Sequence, residues 1–208
     1  MNGVEKVVYI NLASRPDRKA SIERELSFVP ASKIARFDAI VPTGYYNNGA
    51  FGCSMSHIAV LDLAIENGWG NCLILEDDAV WNRFEEGDAV LARLMARPYD
   101  VILLGAIGAH DGETYKATDC QTSHAYLVSK HYYTTLRDHM REGLRKHMET
   151  GDGHRYMIDM YWKLLQARDN WYAIFPVLMY QRTSHSDIQN RVMDTADLFG
   201  VSGCVTVS

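Results

Sequence analysis

Cysteine is scarce and badly placed for cross-linking: Cys53, Cys72, Cys120 and Cys204 are spread over 208 residues, with no CxxC pair and no histidine at zinc-finger spacing. That pattern argues against a disulfide framework or a structural zinc. Cys72 and Cys120 fall inside apolar, strand-like runs and read as small core residues. Also missing is any apolar run long enough to cross a bilayer, and the first residues carry no basic segment leading into a hydrophobic stretch. The expectation is a cytoplasmic protein, or a soluble domain of a larger chain, with no transmembrane segment. Positive charge is in deficit, 21 Lys and Arg against 26 Asp and Glu for a net charge of -5. A sequence-independent nucleic-acid binder needs a basic face to displace counterions, so nucleic acid is not an expected partner. No repeat or low-complexity tract appears. The remaining composition, 47% hydrophobic and 23% charged, is that of an ordinary globular chain. Its length suits a single domain over residues 1–208, with 181–208 polar and irregular.

Strand-like and helix-like segments alternate. Lys6 to Leu12 (KVVYINL) is β-branched and aromatic and predicts a buried strand; Arg18 to Phe28, after Pro16, predicts a helix. Ile34 to Ile40 predicts a second strand, Pro42 to Gly52 a loop rich in turn formers, and Ser54 to Asn67 a helix capped by Ser54. Then come a strand at Cys72 to Leu75, a helix at Phe84 to Arg97, a strand at Asp100 to Ala106 and a polar loop at Gly105 to Thr118. Cys120 to Val128 reads as an antiparallel or edge strand, Lys130 to His147 and Tyr156 to Arg168 as helices, and Trp171 to Tyr180 as a last strand. The alternation predicts an α/β fold, a mostly parallel central sheet with helices on both faces.

Three carboxylates, Glu76, Asp77 and Asp78, follow directly on the apolar run that ends at Leu75. In open α/β sheets the carboxyl ends of the strands border the ligand crevice. Extended backbone sends Glu76 and Asp78 to one side and Asp77 to the other. Crowded acids at an apolar strand end call for a cation or hydrogen-bond donors, and carboxylate oxygen suits a hard divalent ion. A solvated acidic turn is the competing reading. Arg15 and Arg18, in the loop before the first helix, are placed either to fork onto phosphate oxygens or to pair with Asp17 or Glu23 on the surface.

Four places together, YINLASRPDR (Tyr9 to Arg18), GCSMSHIAV (Gly52 to Val60), LILEDDAV (Leu73 to Val80), and SHAYLVS with SDIQ (Ser123 to Ser129, Ser186 to Gln189), resemble glycosyltransferase family 25, which includes lipooligosaccharide and collagen galactosyltransferases. The resemblance implies a GT-A (Rossmann-like) fold. It also implies transfer of a hexose, galactose or glucose, with inversion from a UDP-sugar to a hydroxyl of a glycan or glycoconjugate, with Mn2+ or Mg2+ as cofactor. On that basis Asp78 is the first metal ligand, Glu76 binds metal or ribose, and His185 completes the metal shell. Asn11, Leu12, Arg15 and Arg18 then meet the nucleotide, Ser56 and His57 the nucleotide or donor sugar, and Asp77 faces the sugar or serves the fold. Inversion needs a base for the acceptor hydroxyl. Asp159, the single acid in an otherwise apolar helical stretch, is the first candidate, and Asp187 the second. A non-catalytic sugar-nucleotide-binding module and a metal-dependent phosphohydrolase remain alternatives on the same residues.

Overall fold

In the computed structural model, which describes residues 3–43, 49–82, 86–182, 184–186 and 191–193, the apolar runs at 6–11, 71–76, 101–103 and 125–129 become strands of one sheet. The chain runs β1 (Lys6–Asn11), α1 (Pro16–Glu25), β2 (Ile34–Asp38), α2 (Gly49–Glu66), β3 (Asn71–Glu76), β4 (Ala79–Trp81), α3 (Gly87–Met95) and β5 (Val101–Leu103). It continues through β6 (Ile107–His110), β7 (Ala117–Gln121), β8 (Ala125–Ser129), α4 (Tyr133–Thr150) and three short helices, α5 (Gly153–Tyr156), α6 (Ile158–Tyr161) and α7 (Lys163–Gln166). The last elements are β9 (Trp171–Ala173), β10 (Met179–Gln181), β11 (Ser184–Ser186) and β12 (Arg191–Met193).

The central sheet has six strands in the order β2-β1-β3-β8-β5-β9. Three pairings are parallel (β1 with β2, β1 with β3, β5 with β9) and two, those of β8 with β3 and with β5, are antiparallel. Strand pleating divides the apolar side chains between two cores. Val8, Ile10, Cys72 and Ile74 pack beneath α2 and α4 with Leu61, Leu136 and Met140. Val7, Tyr9, Leu73 and Leu75 pack on the other face with Ile22 and Leu26 at α1 and Leu94 of α3. The mostly parallel α/β sheet with helices on both faces is thus the one expected. Among the described residues no helix is long and apolar enough to cross a membrane.

Several local expectations need correction. α2 starts at Gly49, not Ser54, so Ser54 is no cap; its hydroxyl donates back to the Ala50 carbonyl at 3.0 Å. Gly52 reads as a loop former but lies inside the helix, where a β-carbon would stand 2.5 Å from the Ile40 carbonyl oxygen. The glycine is therefore required by close packing of α2 on the segment after β2. The supposed loop over Gly105 to Thr118 contains β6 and the start of β7, which form an antiparallel ribbon. Cys120 to Val128 is two strands, broken at Thr122, which is β-branched yet sits at φ 85°. β8 is antiparallel, as expected, but lies inside the sheet rather than at its edge. Tyr156 to Arg168 is broken into short helices because Met157 is extended, with ψ at 150°. Trp171 to Tyr180 splits into β9 and β10, and β10 pairs with β4, the strand directly after the three acids.

Candidate active site at the carboxyl edge of the sheet

β1 and β3 run side by side with Ile10 opposite Glu76, so both strands deliver polar residues to one edge. Asn11 closes β1 and is 1% exposed. Its amide donates to the Asp77 carboxylate at 2.8 Å and to the Arg15 carbonyl at 3.1 Å, while its carbonyl oxygen accepts from Arg36 Nε at 3.0 Å. Asp77 also takes the Arg18 guanidinium at 3.0 Å. Burial pushes the Asp77 carboxyl up, against the opposing pull of Asn11 and Arg18. Asp77 therefore joins β1, α1 and the turn after β3.

Glu76 closes β3, whereas Asp77 and Asp78 lie in the turn after it rather than continuing the expected extended alternation, and Arg18 reaches both Asp77 and Asp78. Ser123, in the turn where the β7–β8 run breaks, donates to Glu76 Oε1 at 2.7 Å. His57 Nε2 lies 3.4 Å from that same oxygen. Burial alone pushes the Glu76 carboxyl up, but His57 and Ser123 outweigh it and hold the group below its usual range. Asp78 goes the other way, raised to about 7 by burial and then by the Glu76 charge, despite Arg18 at 3.7 Å and a hydrogen bond from Gln181. One Asp78 oxygen, Oδ1, is buried without a hydrogen-bond partner among the described residues. Two acids at the strand edge, one of them with an orphaned buried oxygen, fit a hard divalent cation.

Asp159, in the first turn of α6, comes to the same place and accepts from the Thr122 amide at 3.2 Å. Burial raises its carboxyl, and the Glu76 charge adds to that. The left-handed backbone of Thr122, costly for a β-branched residue, aims this N–H at Asp159 while the Thr122 hydroxyl donates to the Gly105 carbonyl at 3.2 Å.

Other candidates sit differently. Arg15 forks onto Asp17, with contacts of 3.0 and 2.8 Å. The Ser56 hydroxyl donates to the Gly52 carbonyl at 2.7 Å and accepts from the Ile40 amide at 2.8 Å, tying α2 to the segment after β2. His57 is 1% exposed, with Nδ1 against the Tyr126 hydroxyl at 2.8 Å. The Leu12 carbonyl accepts from the Arg15 amide at 2.9 Å. His185 lies on β11 opposite Val192; its side chain and Asp187 fall outside the described residues. Cys53, Thr122, Ser123 and Gln181 contribute to the edge but had no assigned role in the sequence, although Cys53 lies in the GCSMSHIAV run and Ser123 in the SHAYLVS run.

No family model matches the chain, and no curated protein matches its sequence. Solved structures do match its fold. One is a glycosyltransferase involved in the glycosylation of the major capsid of PBCV-1, with a TM-score of 0.51, 10% identity, and 82% of each chain covered. The fold is that of the GT-A glycosyltransferases. Another is the glycosyltransferase GlyE of Streptococcus pneumoniae TIGR4, with a TM-score of 0.50, 9% identity, 84% of this chain covered and 46% of that one. In this frame Glu76, Asp77 and Asp78 stand at the carboxyl end of β3, the side of an open α/β sheet beside which ligands bind.

Proposed function

We propose that the protein is a metal-dependent, inverting glycosyltransferase that moves a hexose from a UDP-sugar to a hydroxyl of a glycan or glycoconjugate. The observation that carries this reading is the orphaned, buried Oδ1 of Asp78, next to Glu76 at the sheet edge of a GT-A fold. Asp78 and Glu76 would hold the cation. When bound, Mn2+ or Mg2+ supplies Lewis-acid stabilisation to the departing diphosphate. The chain's own residues do the rest. Asp77, locked by Asn11 and Arg18, keeps the turn after β3 in place, and Ser123 orients Glu76. Asp159, with its carboxyl raised by burial, takes the proton from the acceptor hydroxyl at a carboxylate oxygen. The family 25 likeness, the hexose and the UDP donor belong to this proposal and rest on the motifs.

The test is thermal unfolding with UDP and UDP-sugars, each with and without Mn2+. A ligand at a hundredfold its Kd stabilises the folded state by about 2.7 kcal/mol through mass action. UDP with Mn2+ is expected to raise Tm well beyond either alone; equal Tm in all conditions would remove the nucleotide-sugar reading. Turnover separates the classes further, since a phosphohydrolase would release product undiminished without acceptor. Asp159→Asn is expected to lower kcat by about 100- to 10,000-fold, the range for losing a general base. Its UDP-dependent rise in Tm should persist. Full transfer by this variant would take the base role from Asp159.

A further inference from the structure

Cys53 and His57 are four residues apart in α2 and therefore share one helical face, which looks onto the end of β3. One ligand atom from each of Cys53, His57 and Glu76 lies within 4.8 Å of the other two. Among the described residues this is the one group of three such side chains, and it mixes sulfur, nitrogen and oxygen. A second observation points to a ligand. His57 Nε2 is buried, in a residue 1% exposed, and has no hydrogen-bond partner among the described residues. It faces Glu76 Oε1 at 3.4 Å, longer than the about 2.7–3.2 Å of an N–H···O hydrogen bond. The same separation matches the edge of a tetrahedron: nitrogen and oxygen at about 2.0–2.1 Å from a shared zinc ion stand about 3.4 Å apart.

We infer that Cys53, His57 and Glu76 form a site for a thiophilic divalent cation, Zn2+ or its spectroscopic substitute Co2+, with solvent as the fourth ligand. Thiolate and imidazole favour such ions over Mn2+ and Mg2+, which take oxygen ligands. The site differs in chemistry from the Asp78 edge and shares only Glu76 with it. Binding forms the sulfur–metal bond as the Cys53 thiol proton leaves to solvent, so atoms and charge balance without a co-reactant. His57 coordinates through Nε2, and the Tyr126 hydroxyl, 2.8 Å from Nδ1, accepts the other ring N–H and fixes the tautomer. Cys53 and Glu76 are partly exposed, whereas Cys72 and Cys120 are fully buried in the cores.

The experiment is titration of the full chain with Co2+, read by absorption. Thiolate ligation gives a near-ultraviolet sulfur-to-cobalt charge-transfer band, and tetrahedral geometry gives strong visible bands. One equivalent of Co2+ is expected to produce both, Zn2+ to abolish them stoichiometrically, and a large excess of Mg2+ to leave them unchanged. Cys53→Ser should lose the charge-transfer band while unfolding at the wild-type temperature, and Cys204→Ser should retain it. Tyr126→Phe should keep the band but weaken Co2+ binding by about 10- to 100-fold, the usual cost of removing the partner of a ligating histidine. Absence of the band, its survival in Cys53→Ser, or its loss to Mg2+ would overturn the assignment. The readout involves no turnover, and because Glu76 also belongs to the cation site of the transferase reading, Cys53→Ser tells the two apart: it removes the Co2+ band while leaving Asp78 and Glu76 in place for Mn2+ with UDP.

Discussion

Asp78→Asn is expected to make the protein more stable and nearly inactive. Asp78 is held in a buried position beside the Glu76 charge, and both effects raise its carboxyl, to about 7. A carboxyl whose folded-state pKa lies above its unfolded value binds more protons when folded, so stability falls as pH rises between the two values. The unfolded value is about 3.8–3.9. Near pH 4 the wild type and the variant should therefore unfold together. At pH 8, in chelator, the wild type carries a buried charge that the variant lacks, and Asp78→Asn should be more stable by ~2 kcal/mol, a figure reduced from the full shift to allow for Glu76 titrating with it. Adding Mn2+ with UDP should reverse the order, because only the wild type offers the anionic ligand. Loss of a cation that supplies several kcal/mol to the transition state predicts a fall in kcat of about 100-fold or more. Matched pH-dependent melting curves with a transfer assay check both arms. A variant less stable than wild type at pH 8, or one that keeps metal-dependent turnover, would separate Asp78 from the cation site.

Such a residue is legible in sequence because its cost is local. An apolar run that stops at three acids is visible without any knowledge of the fold, and β1 and β3 are legible for the same reason: strands buried on both faces must be continuously apolar. What was not legible depends on distant contacts. Gly52 looks like a loop residue until the Ile40 carbonyl is placed where a β-carbon would go. Cys120 to Val128 reads as one strand, of which the part from Ala125 on is β8, but its break at Thr122 and the place of β8 between β3 and β5 depend on contacts distant in sequence. Thr122 ends its strand because its polar groups bond to Asp159 and Gly105 rather than to the ladder. The four-residue spacing of Cys53 and His57 is visible in the sequence. That Glu76 closes the triangle is a property of the packed structure. Arg18 shows the ambiguity most plainly: beside a helix start, an arginine reads as a phosphate ligand, and nothing nearby reveals a carboxylate partner 59 residues away.

Arg18→Met therefore gives the second large expected effect, and its direction separates two roles for the same side chain. In this structure Arg18 is 14% exposed at the side chain and its guanidinium meets Asp77, 8% exposed, at 3.0 Å. Removing one member of a buried ion pair leaves the other uncompensated, which costs about 3–5 kcal/mol. Among the described residues Asn11 then remains as the donor to the Asp77 carboxylate, whose burial already opposes ionisation. Asp77→Asn should cost less, since the amide keeps a partner in Asn11 and the remaining guanidinium still has Asp78 at 3.7 Å. The double variant should be more stable than the sum of the two single losses predicts, because the stranded Asp77 charge is gone. Denaturant unfolding of the four proteins at constant pH measures this coupling. If Arg18→Met instead keeps wild-type stability while UDP affinity collapses, the guanidinium leaves Asp77 for the diphosphate when nucleotide binds, and Asp77 does not depend on it for the fold. A loss of stability with UDP affinity intact in the folded fraction makes Arg18 the buttress of the acid edge, and assigns recognition of the diphosphate to the cation held by Asp78 and Glu76.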